Sequence, residues 1–298
     1  MPVAVAPALF VVLWATGFVV ARLSAGHVAP LWFLALRFPI ACMFMFCVAL
    51  YQRASWPNAT YAFHASIAGA FMHGGYLAPI YWAVAHGLPA GVSALIVGLQ
   101  PLITAFFAAW ILGERIHGRH WLGLSVGLIG ITLVISPKLH FAGIEGITPQ
   151  TVGLALFGAL CISFGTVYQK RFATGIALAT GGTWQYVGGS LVVLISAYFV
   201  EDFFFDNSPQ AWLALGWAVI VLSIIAITLM MILIREGAVS KVSSLIFLVP
   251  AVAALMTYVL FDETLNLVQI FGMAICAAAV LIVNGATTTG PALEKSPQ

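Results

Sequence analysis

The side chains of this chain that can do chemistry are few, and they stand inside long apolar runs. His73, in FMHGGYLAP, is an ionisable group in apolar sequence, which is by default a functional position. Its imidazole either couples to proton movement near neutral pH or stays neutral on a neighbouring carbonyl. Gln100 can donate and accept through one amide, to a bound solute or to an adjacent helix; the second use is worth about 0.6 kcal/mol in membrane proteins. Arg37 lies about two helical turns into its apolar run. It either snorkels to the interface in support of the fold or faces a cavity, where its guanidinium would attract a carboxylate or phosphate. Trp14, Thr16, Tyr76, Tyr168 and Trp184 offer the rings and hydroxyls found in mostly apolar ligand sites, although membrane aromatics also serve packing and the interfacial belt. With His73 and Gln100 they are the substrate-pathway candidates.

Three prolines lie inside apolar runs. Pro101 and Pro250 each remove a helix hydrogen bond and bend the chain, which frees carbonyls near mid-membrane and makes a hinge; Pro79 is a further hinge candidate. Glu114 and Glu263 end their apolar runs and could serve as gates or inter-helix locks, Glu114 with Arg115 or Arg119, or simply as solvated helix ends.

No catalytic or metal centre is expected. The sequence has no HExxH, no GxxxxGK[ST] phosphate loop and no carboxylate inside an apolar run. Cys42, Cys47, Cys161 and Cys276 have no paired spacing and read as apolar fillers; His117 and His120 flank Arg119 with no further ligand nearby. Neither a metal nor a cofactor is implied.

The elements that must position these residues are membrane helices. Hydrophobic residues make up 62% and charged residues 7% of the chain, against roughly 45–50% and about 25% in soluble domains. With roughly 20 apolar residues needed per crossing, charges, prolines and glycines divide the sequence into ten spans: 5–25, 31–51, 63–84, 91–112, 121–136, 151–168, 180–199, 212–233, 243–260 and 267–284. The runs lack the alternation of barrel strands, so the fold class is an all-α polytopic membrane protein. The net charge of +2, on scattered basic residues, gives no reason to expect a nucleic-acid partner.

A repeat organises these spans. Residues 93–114 read SALIVGLQPLITAFFAAWILGE and 243–263 read SSLIFLVPAVAALMTYVLFDE, so Pro101 and Glu114 find counterparts at Pro250 and Glu263, 149 residues on in each case. Five spans per copy make the second copy enter from the opposite side, giving two inverted five-helix repeats over 1–142 and 143–286, with a disordered cytoplasmic tail at 287–298. Arg53, Arg115, Arg119, Lys170, Arg171, Arg235, Lys241 and Lys295 fall on one side and only Arg22 and Lys138 on the other. The basic excess marks the inside, so both termini are cytoplasmic. GLSVGLIG in the fifth span carries glycines at close helical spacing and predicts a packing seam with the tenth span, or a homodimer face.

The opening LFVVLWATGFVVARL, the LWFLALRF of the second span, the proline-to-glutamate spacing and WLGLSVGLIGITLV together resemble the drug/metabolite transporter superfamily, in its EamA-type members. Asp262, where the first copy has Gly113, departs slightly from the pattern. The resemblance implies a ten-helix multi-pass protein of the bacterial inner membrane, usually an exporter, with a central cavity between its halves. The expected activity is secondary export of a small metabolite, amino acid or amphipathic drug-like compound by alternating access. The alternative is a non-transporting receptor or scaffold on the same fold.

Overall fold

The computed structural model describes residues 6–24, 26–88, 90–139, 146–237, 239–261 and 265–284. Glu263 and the tail at 287–298 therefore lie outside the described residues. Helix dominates because an apolar backbone removed from water must satisfy its own hydrogen bonds. In chain order the helical segments are α1 (Ala6–Ser24), α2 (Pro30–Tyr51), α3 (59–85), α4 (90–112), α5 (Gly118–Leu139), α6 (Pro149–Phe172), α7 (Leu178–Val200), α8 (209–236), α9 (239–261) and α10 (Leu267–Asn284). Among the described residues there is no strand, only an isolated antiparallel bridge between Val28 and Phe205.

Among the described residues, six stretches are long and apolar enough to cross a membrane: Pro30–Tyr51, Val92–Leu112, Gly118–Ser136, Pro149–Phe172, Leu178–Val200 and Pro209–Glu236. Shorter apolar helices cover Ala6–Gly17, Val242–Met256 and Leu267–Val283. Their outward faces carry large apolar side chains such as Met43, Trp110, Leu191, Phe199 and Ile220, an arrangement that suits lipid rather than water.

Local sequence explains several starts. Pro30, Pro149 and Pro209 occupy first turns, where the missing N–H costs nothing. The Thr148 and Thr151 hydroxyls each accept the other's backbone N–H at 3.1 Å, closing a reciprocal cap on α6. Asn58 and Ser208 accept from Tyr61 N and Ala211 N in the same way.

Several of the described segments depart from regular α geometry. Wide π turns occupy Ala70–Gly75 in α3, Ala108–Leu112 in α4 and Ala218–Ala226 in α8. Such turns re-aim the side chains that follow them and are frequent at functional positions. α4 is also broken at residues 98–99, so Pro101 sits in the first turn of a new helix, Gln100–Phe107, where it fits without bending a continuous rod. Pro250 follows a tight 3₁₀ turn at Leu245–Phe247, while Pro39 and Pro79 stand inside helical stretches.

Two close approaches set the packing. α3 and α7 touch backbone to backbone: a Cβ on Gly188 would stand 1.9 Å from Ser66 O, and one on Gly69 1.9 Å from Gln185 O. α5 and α10 form a seam within the chain, where a Cβ on Gly130 would meet Cys276 N at 2.8 Å and one on Gly272 would meet Gly130 O at 2.9 Å. One apolar cluster joins α1, α5, α9, α10 and the end of α8; a second joins α2, α7 and the start of α8. The space between them holds the site.

Candidate functional site

A cavity of about 590 Å³ lies between the two apolar clusters. α1 contributes Trp14, α2 Arg37, α3 His73, Tyr76 and Tyr81, and α4 Ser93. Ile131 of α5, Leu222 of α8 and Ile246, Val249 and Pro250 of α9 complete the wall. It extends toward one end of the bundle, where Gly26, Val84, Ala85 and Phe204 line it and are exposed.

Several polar groups of this space are bonded into the surrounding helices. Arg37 is only 6% exposed, although a guanidinium at a helix centre in a membrane costs about 2.5–3.5 kcal/mol on insertion scales. Its Nε donates to Ser223 Oγ at 2.7 Å, and the Tyr81 hydroxyl lies beside it. The Tyr186 hydroxyl donates to the Ser223 carbonyl, so α2, α7 and α8 meet through one serine in a π turn. No Asp or Glu appears among the described residues lining the cavity.

His73 sits in the π turn of α3 and is 2% exposed. Its ring stacks on Tyr186 at 4.7 Å between centroids, nearly parallel at 11°. Phe38 packs against both rings at 5.8 Å. Among the described residues, His73 Nε2 and Gln185 Oε1 are buried without a hydrogen-bond partner meeting normal geometry.

Of the residues singled out from sequence, the structure brings Trp14, His73, Tyr76, Pro250 and Arg37 to the cavity. The other described candidates lie elsewhere. Thr16 donates to Leu13 O at 2.6 Å and accepts from Trp217 Nε1 at 3.0 Å. Gln100 is buried where α4 meets α6, its carbonyl accepting from Ser163 Oγ at 3.3 Å. Tyr168 bonds His64 Nδ1 at 2.6 Å beside Phe172, and Trp184 packs on a small cluster of Ala65, Ala173 and Ile176. Pro79 is half-buried in α3. Sequence reasoning passed over Ser223, Ser93 and Gln185, none of which differs by type or spacing from an ordinary small or polar packing residue.

The opposite end of the bundle is fastened. Glu114, at the end of α4, accepts from Val239 N, the first residue of α9, at 2.9 Å. Lys170, near the end of α6, donates to Ile234 O and Arg235 O, the last carbonyls of α8, at 2.6 and 2.7 Å. An acid at a helix N-terminus and a lysine at a helix C-terminus both complement exposed backbone charge. Together they grip the turn between α8 and α9, and Arg235 reaches back to Ile176 O.

At the cavity's outlet, the loop after α7 folds against the turn between α1 and α2. His27 Nδ1 meets Asp206 Oδ2 at 2.5 Å, Asp206 also accepts from Ser208 N at 2.9 Å, and Ala29 N donates to Phe204 O at 3.0 Å. The bonds to Asp206 itself, that to His27 foremost, hold its carboxyl down to about 2. Glu201 accepts from Leu31 N at 2.8 Å, yet burial pushes its carboxyl up.

Comparison with known proteins adds a family pattern. The pattern described as the EamA-like transporter family matches residues 3–136 and again residues 150–285. The chain is 25% identical over 272 residues to an uncharacterized inner membrane transporter, YedA, of Escherichia coli, covering 91% of this chain and 87% of that one. It is 26% identical over 299 residues to an uncharacterized transporter, YvbV, of Bacillus subtilis, covering 93% and 90%. Over 293 residues it is 26% identical to a probable amino-acid metabolite efflux pump of Escherichia coli, covering 93% and 91%. A protein solved by crystallography superposes with a TM-score of 0.78 at 21% identity, covering 94% of this chain and 95% of the other, which is a likeness of fold.

Proposed function

Because the chain belongs to the EamA-like transporter family, we propose that it is a secondary transporter exporting a small metabolite, amino acid or amphipathic compound across the inner membrane by alternating access. The observation that carries this reading is the 590 Å³ cavity, extending to exposed residues at one end of the bundle and fastened at the other by Glu114 and Lys170. A cavity shared between two apolar clusters can be handed from one face to the other if those clusters rock. The efflux relative at 26% identity supports export of amino-acid-like cargo.

In this reading ten membrane helices form two inverted five-helix repeats, 1–142 and 143–286, with both termini in the cytoplasm. The two family matches, over 3–136 and 150–285, support the division. The fastened end would then face the cytoplasm and the cavity the outside. Trp14, His73 and Tyr76 touch cargo, Pro250 serves as a hinge, and Glu114 acts as part of the inner gate. Gln100, Thr16, Tyr168 and Trp184, which lie outside the cavity, support its walls.

The test is counterflow in proteoliposomes preloaded with amino acids, carboxylates or organic amines, with and without a proton gradient. Saturable exchange is expected for a cargo that fills the cavity, reduced at least tenfold in His73→Ala and retained in Cys47→Ala, whose side chain points outward. Ligand binding with no exchange under any gradient would overturn transport and favour a receptor.

A further inference from the structure

We propose that Arg37 is the anchor for a monocarboxylate, so that the cargo is an amphipathic carboxylate whose apolar or aromatic body lies against α1, α5 and α9. The assignment deepens the transporter reading and rests on it for the word cargo; binding itself requires no flux.

Arg37 lines the cavity and is nearly closed off from solvent, yet no Asp or Glu stands among the described lining residues. Ser223 Oγ takes the Nε hydrogen at 2.7 Å and the Tyr81 hydroxyl also bonds the guanidinium, which together fix its plane; the Nη hydrogens beyond these are the part that can meet a ligand. A planar guanidinium edge matches two carboxylate oxygens with parallel hydrogen bonds. Tyr76, Tyr81 and His73 of α3 also line the cavity, and Ser24 and Ser93 add hydroxyls from α1 and α4. Much of the remaining lining, Ile131, Ile246 and Val249 among it, is hydrocarbon and suits an apolar body. The cavity thus offers one cation within a mostly apolar lining.

Charge balance narrows the anion. One guanidinium neutralises one carboxylate, whereas a phosphate monoester carries about −1.5 to −2 at neutral pH and would leave surplus charge among apolar side chains. Cationic cargo finds no carboxylate to receive it, and sugars find too few polar partners.

Equilibrium binding of radiolabelled 3-phenylpropionate to the full-length protein in detergent tests the assignment, with 3-phenylpropionamide, 3-phenylpropylamine and phenyl phosphate as competitors. The carboxylate is expected to bind at least about tenfold more tightly than amide, amine or phosphate. Arg37→Gln should erase that preference, leaving carboxylate and amide within about twofold, and Arg37→Lys should keep part of it. The wild-type ranking is decisive even if a variant fails to fold. Equal or better binding of any competitor, a preference surviving in Arg37→Gln, or no saturable binding of the carboxylate at millimolar concentration would overturn the proposal. Counterflow of the same probes separates the two readings. Arg37-dependent binding without exchange keeps the anchor and removes transport; exchange of the amine with no carboxylate preference keeps transport and removes the anchor.

Discussion

At the scale of single residues, position in a helix matters more than residue type. His73 and Gln100 look alike in the sequence, each polar and alone in an apolar run, yet only His73 reaches the cavity while Gln100 is buried between helices. The reason is that these helices are apolar on nearly every face, so no stripe tells which side is inward. Asp206 supports a prediction at this scale. Its pKa in the folded protein lies below its ordinary 3.8, so its contribution to loop docking is complete above 3.8 and is lost as pH falls through about 2. Hydrogen exchange of residues 204–208 between pH 2 and 5 should show protection lost toward the acid end. In Asp206→Asn protection should be weaker at the upper end and nearly independent of pH; an identical profile in the two proteins would remove the carboxylate from the clasp.

Among elements, the three π turns and the break in α4 were not legible, because a π turn leaves no mark in composition and shifts the phase of every later side chain. Helix type and the α5–α10 seam were legible, since glycine spacing and apolar length report directly on packing and on crossing. The lock on the α8–α9 turn was half legible. Glu114 stood out as a helix-end acid, but its partner is a backbone N–H, which no side-chain pairing rule can name. Each hydrogen bond from Lys170 to a carbonyl is worth about 1.5–3 kcal/mol when charged, so Lys170→Met should favour opening at that end by at least tenfold. An impermeant thiol reagent applied from that side should label Ile246→Cys correspondingly faster in Lys170→Met, in a background freed of the native cysteines. Unchanged labelling would mean that Lys170 decorates a turn held by other contacts.

For the molecule as a whole, the cavity lies between two apolar clusters and carries one buried cation with no carboxylate among the described lining residues. With a monocarboxylate on Arg37, the loaded protein is electrically neutral at its centre and the empty one is not. Whatever fraction of the membrane field the guanidinium crosses between conformations, a potential therefore acts on the empty protein alone, at about 2.3 kcal/mol per full charge and 100 mV. Such a carrier is rate-limited by voltage only on its return journey. On a solid-supported membrane, a voltage step should drive a brief capacitive displacement current in the unloaded protein, suppressed by saturating cargo and missing in Arg37→Gln. A current indifferent to cargo would place the moving charge elsewhere. The guanidinium of the cavity thus turns a question of recognition into one of electrical asymmetry, in which the resting potential sets how quickly the empty carrier resets and leaves the loaded step untouched.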